Sequence, residues 1–380
     1  MTNRIDRTRP DAPALAWPGP HPAGVTTLTL VNPDQIDIPA SGSRIVRGQR
    51  ILTVELWYPA AAPGPGGTYA TLLRDGRTPI TLHGRATRDA AAAPGRHPLV
   101  ILSHGYPGNR MLLAHFGEHL ATRGYAVASL DHPQSTYADQ AAFGATLYHR
   151  PRDQAFALAA LAGDPRVDAA RAAVIGYSMG GYGALVFGGA GVTEAALSLP
   201  GAPPQGLWAE HLAGSAAHAA LMDPRLACII AIGPWTGQGT GLDPAGLRVP
   251  AFIMAGSRDA VTGHAAMRAF WAAARGTARH LLTFVNAGHN AAAPFPAPAE
   301  GWAHDDRLGF APHAHYADPV WDTLRMNNIA QHYAAAFLDR HLRGDAGADW
   351  LAPAEPDADR PGFAPGTTAG LGLETRGSGD

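Results

Sequence analysis

A serine set between glycines is the first residue of this 380-residue chain with chemistry in reach. Gly176-Tyr177-Ser178-Met179-Gly180-Gly181 follows the apolar run Ala172 to Ile175 and passes directly into Tyr182-Gly183-Ala184-Leu185-Val186-Phe187. The pattern places Ser178 on an abrupt strand-to-helix corner, the G-x-S-x-G arrangement that presents a hydroxyl for nucleophilic attack. Its glycines answer a demand for space, because a Cβ at either flank would crowd the adjoining strand and helix. With 45 glycines in the chain, such a pentapeptide needs company to carry meaning. Two further strand ends supply it. Gly256-Ser257-Arg258-Asp259 follows Val249 to Ala255, and Asn286-Ala287-Gly288-His289-Asn290 follows Leu281 to Val285. A serine, a carboxylate and a histidine therefore close three separate strands in the chain order Ser, Asp, His.

Together these residues could run acyl transfer. Ser178 would attack a carbonyl carbon, His289 would take its proton and later deliver it to the leaving group, and Asp259 would fix the imidazole tautomer. Asp131 is a rival acid, but it lies upstream of Ser178. The small-residue loop Ser103-His104-Gly105-Tyr106-Pro107-Gly108, after the strand ending at Leu102, could aim backbone N–H groups into the same site. Trp235, in Ile232-Gly233-Pro234-Trp235, follows another strand, and with Tyr106 it could form an aromatic wall for the acyl group; plain packing is the alternative. His304-Asp305-Asp306 with His313 and His315 invites a metal reading, but the spacing fits no structural zinc pattern. A wall of the substrate pocket is the reading kept for that loop, and neither a metal nor a cofactor is expected.

The elements that must position these groups alternate along the chain. Val25 to Val31 and Ile51 to Tyr58 read as antiparallel strands, followed by irregular Gly/Pro/Arg-rich sequence to about Pro98. Strand Leu99 to Leu102, helix Asn109 to Arg123, strand Tyr125 to Leu130, helix Asp153 to Leu161 and strand Ala172 to Ile175 then form a βαβ series. Their short, unalternating apolar runs are those of strands buried on both faces of a parallel sheet. Strands resume at Leu226 to Ile232, Val249 to Ala255 and Leu281 to Val285, with a helix carrying Met267, Phe270 and Trp271 before the last, and a closing helix from near Asp322 to Gly344. The expectation is an α/β fold with a mostly parallel central sheet, antiparallel N-terminal strands and helices on both faces, spanning residues 25–344. Residues 191–225 read either as a lid insertion over the carboxyl edge of the sheet or as a peripheral helix pair. Residues 1–24 read as a flexible leader and 345–380 as a flexible tail.

Composition excludes several classes. The chain is 46% hydrophobic with a formal net charge of −2, and it holds no Lys/Arg-rich run, so neither nucleic acid nor an anionic membrane is an expected partner. No apolar run approaches the roughly 18 residues of a transmembrane helix, and the first residues lack the apolar middle of a signal peptide. Cys228 is the single cysteine, set in Leu226-Ala227-Cys228-Ile229-Ile230, which reads as a buried small hydrophobe in a reducing, cytoplasmic setting. Oligomeric state is not legible.

VELWYP (Val54 to Pro59 with its context), VILSHGYPGNR (Val100 to Arg110), HLATRGYAVASLDHP (His119 to Pro133), GYSMGGYGAL (Gly176 to Leu185), GSRD and AGHN occur in this order. In this the chain resembles the α/β-hydrolase superfamily, and within it the dienelactone-hydrolase-like and platelet-activating-factor-acetylhydrolase-like esterases. The resemblance implies the α/β-hydrolase fold, a Ser178-His289-Asp259 triad, and an oxyanion hole built from the backbone N–H groups of Tyr106 and Met179. It also implies hydrolysis of carboxylic esters, small or polymeric, through an acyl-enzyme. Dienelactone hydrolases proper carry cysteine at the nucleophile position, so Ser178 departs from that reaction. A polyester, an aromatic ester or an amide are alternative substrates for the same triad. A non-catalytic ligand-binding protein on the same fold is the alternative of another class.

Overall fold

Ten strands build the central sheet of the computed structural model, which describes residues 3–140, 143–345, 349–355 and 357–380. In chain order they are β1 (Ala23–Ile36), β2 (Arg47–Pro59), β3 (Thr87–Arg88), β4 (His97–Ser103), β5 (Ala126–Leu130), β6 (Val167–Tyr177), β7 (Leu226–Ile232), β8 (Ala251–Gly256), β9 (Arg279–Phe284) and β10 (Leu371–Arg376). Across the sheet they run β10-β9-β8-β7-β6-β4-β5-β2-β1-β3. The six strands from β9 to β5 pair in parallel. β2 runs antiparallel to both β1 and β5, as the alternation of Leu52, Val54, Leu56 and Tyr58 predicts.

Burial on both faces follows from the two-residue period of a strand. Leu99 and Ile101 of β4, Val174 of β6, Ile253 of β8 and Leu281 of β9 enter one apolar cluster, while Val100, Leu102, Ile175, Phe252 and Leu282 enter the other. Helices α1 (Ala114–Thr122) and α6 (Thr323–Leu338) cover the second cluster through Phe116, Leu120, Ile329, Tyr333 and Phe337. The first is covered by α2 (Phe143–Leu161), α3 (Met179–Phe187) and α5 (His264–Ala273), through Leu158, Leu185, Met267 and Trp271. Among the described residues no helix is long and apolar enough to cross a membrane.

Helix α2 starts ten residues before its sequence-predicted start at Asp153, because it runs through Pro151. A proline inside a helix withholds the N–H that the carbonyl four residues back requires, here that of Leu147. The hydroxyl of Tyr182 on α3 donates to that carbonyl at 2.9 Å, so the interruption is repaired from a neighbouring helix. Such a repair is invisible to local sequence patterns.

The described parts of both chain ends carry packed elements, in the segments that the sequence reads as a leader and a tail. Asn3–Arg4 joins Pro79–Gly84 and Gly67–Leu72 in a small second sheet within the stretch expected to be irregular. Ile5 and Ala16 are buried, and the backbone N–H groups of Arg9 and Leu15 donate to Asn328 and His332 on α6. Side chains of a distant helix hold this segment, so it shows no period of its own. At the other end, β10 pairs antiparallel with β9 and buries Leu371 and Leu373 on alternate positions of an edge strand. Gly- and Pro-rich flanks obscure that short alternation in the sequence.

Residues 191–225 hold the turns Glu194–Ser198 and Pro204–His211 and the short helix α4 (Ala216–Leu221). Trp208 is buried, and its Nε1–H donates to the Tyr182 hydroxyl at 2.8 Å. His211 and His218 donate to the carbonyls of Tyr148 and Val186, each at 2.9 Å. The segment is thereby pinned to α2 and α3.

Candidate active site

Ser178 occupies the corner between β6 and α3 with φ 53° and ψ −111°, a conformation that non-glycine residues adopt only where surrounding structure enforces it. The enforcement is visible. Its N–H donates to Ile232 O at 2.8 Å, and its carbonyl receives the N–H groups of Tyr182 and Trp235. A Cβ on Gly176 would lie 2.1 Å from Gly180 O, and one on Gly180 would lie 1.9 Å from Ser103 O, so the sequence's demand for glycine at both flanks is steric.

The three strand ends converge. His289 Nε2 lies 3.1 Å from Ser178 Oγ, and His289 Nδ1 lies 2.8 Å from Asp259 Oδ2. Burial pushes the Asp259 carboxyl up, but the hydrogen bond from His289 and donors from Thr262 outweigh it and hold the group down at about 2. An ionised carboxylate can only accept, so His289 carries its hydrogen on Nδ1 and offers Nε2 to the serine hydroxyl. Thr262 completes the acid's shell, with its N–H on Oδ1 at 3.0 Å and its hydroxyl on Oδ2 at 2.8 Å. The His289 loop is held from the other side. The Tyr177 hydroxyl donates to Asn290 Oδ1 at 3.1 Å, Asn290 donates to the carbonyls of Ala314 and Ala317, and Gly288 N–H donates to Asp318.

A cleft of about 420 Å³ opens onto Ser178 and His289. Gly105, Tyr106 and Pro107 form one wall, Phe310, Ala314 and His315 another, and Arg74 and Val261 complete it. No residue of 191–225 lines it. Of the loop that invited a metal reading, His315 contacts the Tyr137 hydroxyl at 2.8 Å, His313 stacks on Trp302, and His304 stands exposed near Asp306. Among the described residues no group of three or more His, Cys, Asp or Glu gathers that could hold a metal ion. Trp235 does not line the cleft. Its ring meets Phe143 edge-on at 5.9 Å, and Phe143 in turn meets Tyr106 at 5.5 Å, so Trp235 backs the Tyr106 wall through an aromatic chain that stacks on Trp208 behind it.

Met179 is the first residue of α3, so its N–H has no partner within the helix and sits at the positive end of the helix dipole beside Ser178. The Tyr106 side of the site rests on a buried polar network that sequence reading did not find. Arg150 on α2 donates through Nη1 to the carbonyl of His104 and through Nη2 to Gly105 O at 3.3 Å and Ser135 Oγ at 2.5 Å. His104 Nδ1–H donates to Gly105 O at 2.7 Å, its Nε2 accepting from His132 N–H. Because carbonyl and N–H point to opposite sides of a planar trans peptide, donors gripping Gly105 O fix the direction of the Tyr106 N–H. Burial brings the Arg150 guanidinium down to about 9, still cationic at neutral pH.

Beneath this loop lies a second Ser-His-Asp chain. Ser103 Oγ meets His132 Nε2 at 2.8 Å, and His132 Nδ1 meets Asp153 Oδ2 at 2.9 Å. Burial, aided by Arg150, drives His132 down to about 3, and Arg50 grips Asp153 at 2.6 and 2.8 Å. All of these groups are closed off from solvent, so this chain is scaffold. Gln154 extends it to the serine corner by donating to Gly180 O at 2.9 Å. Asp131, the rival acid, accepts from the backbone N–H of Arg110 at 2.7 Å and pairs with its guanidinium, away from His289.

The chain is similar to known ester hydrolases in sequence segments and in fold. A family model described as PET hydrolase-like matches residues 86–213. A cutinase of Thermobifida alba is 36% identical over 86 residues, a match that spans 23% of this chain and only 28% of that enzyme's length. Among solved structures, a ferulic acid esterase from Streptomyces cinnamoneus superposes with a TM-score of 0.62 at 23% identity, covering 93% of this chain and 97% of that one. The chain has the α/β-hydrolase fold expected from its sequence.

Proposed function

We propose that this chain is a serine hydrolase of carboxylic esters in which Ser178, His289 and Asp259 form the catalytic triad. The observation that carries the reading is the continuous chain from Ser178 Oγ through His289 to Asp259, at 3.1 and 2.8 Å, opening onto a cleft. The esterase names of the matched family and relatives support the same reaction class.

In this reading Ser178 Oγ bonds to the carbonyl carbon of the ester while its proton passes to His289 Nε2. Charge develops on the carbonyl oxygen, where the backbone N–H groups of Met179 and Tyr106 receive it. The bond to the alcohol oxygen then breaks, that oxygen takes the proton from His289, and the acyl group remains on Ser178. Water repeats the sequence against the acyl-enzyme, regenerating the hydroxyl and releasing the acid. Asp259 stabilises the imidazolium at both stages without taking a proton. Arg150 is a positioning residue: it touches no substrate and acts by holding the Gly105 to Tyr106 peptide.

A bulky or polymeric ester is the second reading, favoured by Val261 and Phe310, which stand 69% and 37% exposed at the cleft. A panel of p-nitrophenyl esters of increasing acyl length, an aromatic ester, an anilide and a polyester film distinguishes these substrates. Ser178→Ala should lower turnover of p-nitrophenyl acetate by roughly 10⁴-fold or more. Unchanged turnover would overturn the proposal, and binding without turnover of any ester would point instead to a non-catalytic binding protein.

A further inference from the structure

Arg74 is the unexplained charge at the site. It lines the same cleft as Ser178 and is half-buried, yet among the described residues its guanidinium makes no ion pair or side-chain hydrogen bond. The acid beside it in sequence is already committed: Asp75 accepts from the N–H groups of Arg77 and Thr78 and from the Thr78 hydroxyl. Among the described residues no carboxylate lines the cleft. His315, on the facing wall, adds no countercharge and no second cation, since burial and then Arg74 itself drive it down to about 3. The Tyr106 phenol on the other wall is raised by burial, with Arg74 pulling against that rise. Both walls therefore sense this cation. Tyr106, Pro107, Val261 and Phe310 give the cleft apolar and aromatic walls, and Asn290 adds an uncharged amide beside His289.

A guanidinium taken partly out of water without a partner is unfavourable, and a carboxylate is the group whose geometry its fork matches. We propose that Arg74 forms a subsite for a carboxylate on the substrate, so that the preferred substrates are half-esters of dicarboxylic acids or esters bearing a free carboxylate beyond an apolar spacer. The proposal rests on the ester-hydrolase reading of Ser178 and names the substrate class of that site. Scissile ester and carboxylate lie in one molecule, the ester at Ser178 and the anion at Arg74. Hydrolysis of such a half-ester releases a dicarboxylate.

The test compares monomethyl adipate with dimethyl adipate on the full chain and on Arg74→Gln and Arg74→Lys, reading kcat/KM for each. The expected result is a monoester-to-diester ratio that falls at least tenfold in Arg74→Gln, carried mainly by KM of the monoester, and that Arg74→Lys partly restores. Added salt should narrow the wild-type ratio. A ratio unchanged within twofold in Arg74→Gln overturns the subsite. Should the variants not fold, competition on the wild type decides: glutarate should inhibit p-nitrophenyl acetate turnover at least tenfold more strongly than glutaramide, and equal inhibition overturns the subsite. Turnover of neither adipate ester nor p-nitrophenyl acetate by the wild type would overturn the parent reading, a result distinct from ester turnover without charge preference.

Discussion

Replacing Arg150 with methionine separates a positioning role from a merely structural one. The substitution keeps an unbranched apolar stem but removes the guanidinium and with it the donors to His104 O, Gly105 O and Ser135 Oγ. Gly105 O retains the Nδ1–H of His104, so the Gly105 to Tyr106 peptide loses one of two restraints. The His104 carbonyl is left buried without its donor, a penalty of about 1–3 kcal/mol. If the loop relieves that penalty by turning, the aligned conformer falls by roughly 5- to 150-fold, since about 1.4 kcal/mol is tenfold. Outright loss of one oxyanion donor, about 10²- to 10³-fold, sets the ceiling. The expected outcome in Arg150→Met is therefore a kcat about 10- to 100-fold lower on p-nitrophenyl acetate, with KM changed by less than about threefold, because no side chain lining the cleft is replaced. Arg150→Lys, which keeps a cation but not the fork, should fall between. Steady-state kinetics on variants whose thermal melts show them folded measure the effect. A folded Arg150→Met with kcat within about threefold of wild type would refute the reasoning.

Tyr182→Phe removes the hydroxyl that substitutes for the missing N–H of Pro151 and that also accepts from Trp208. It should destabilise the fold by about 1–3 kcal/mol in denaturant titration while leaving the triad intact, and an unchanged midpoint would contradict the repair described for α2. Acid should unfold the protein early, because burial first of all holds His115 and His211 down to about 4 and His132, His149, His280 and His332 down to about 3. For a histidine whose folded value is depressed, the unfolded chain binds more protons below about pH 6.5, so that stability is fully present above that pH and is lost as pH falls toward 3–4. Each such group contributes up to about 1.4 kcal/mol per pH unit in that window. Melting temperatures from pH 8 to 4 should thus be level above about 6.5 and fall below it, and a flat profile would count against these buried neutral histidines.

The parts of the site that are legible in sequence share a physical cause. Ser178, Asp259 and His289 each stand within a few residues of an apolar run, so finding the parallel strands also finds the edge where they meet. The glycines around Ser178 are legible for the same reason, since a close approach leaves room for no other residue. Arg150 escaped because its acceptors are two backbone carbonyls and a serine, none of which is adjacent to it in the chain. Its helix escaped with it, since Pro151 is a local breaker that only Tyr182 offsets. The sequence spacing puts Trp235 near the right corner, but Phe143 stands between it and the Tyr106 wall, a three-body arrangement that no spacing rule contains. Arg74 lies in the stretch expected to be irregular and gains its meaning only from the small sheet that brings it to the cleft.

The most direct test of the account is covalent. A p-nitrophenyl phosphonate ester, which reacts with an activated serine at the carbonyl-mimicking phosphorus, should add one phosphonyl group per chain as read by intact mass, mapped by peptide sequencing to Ser178. The adduct should be absent in Ser178→Ala and form far more slowly in His289→Ala. Ester turnover by a wild-type protein that takes up no label at Ser178, or labels at another residue, would contradict the central claim.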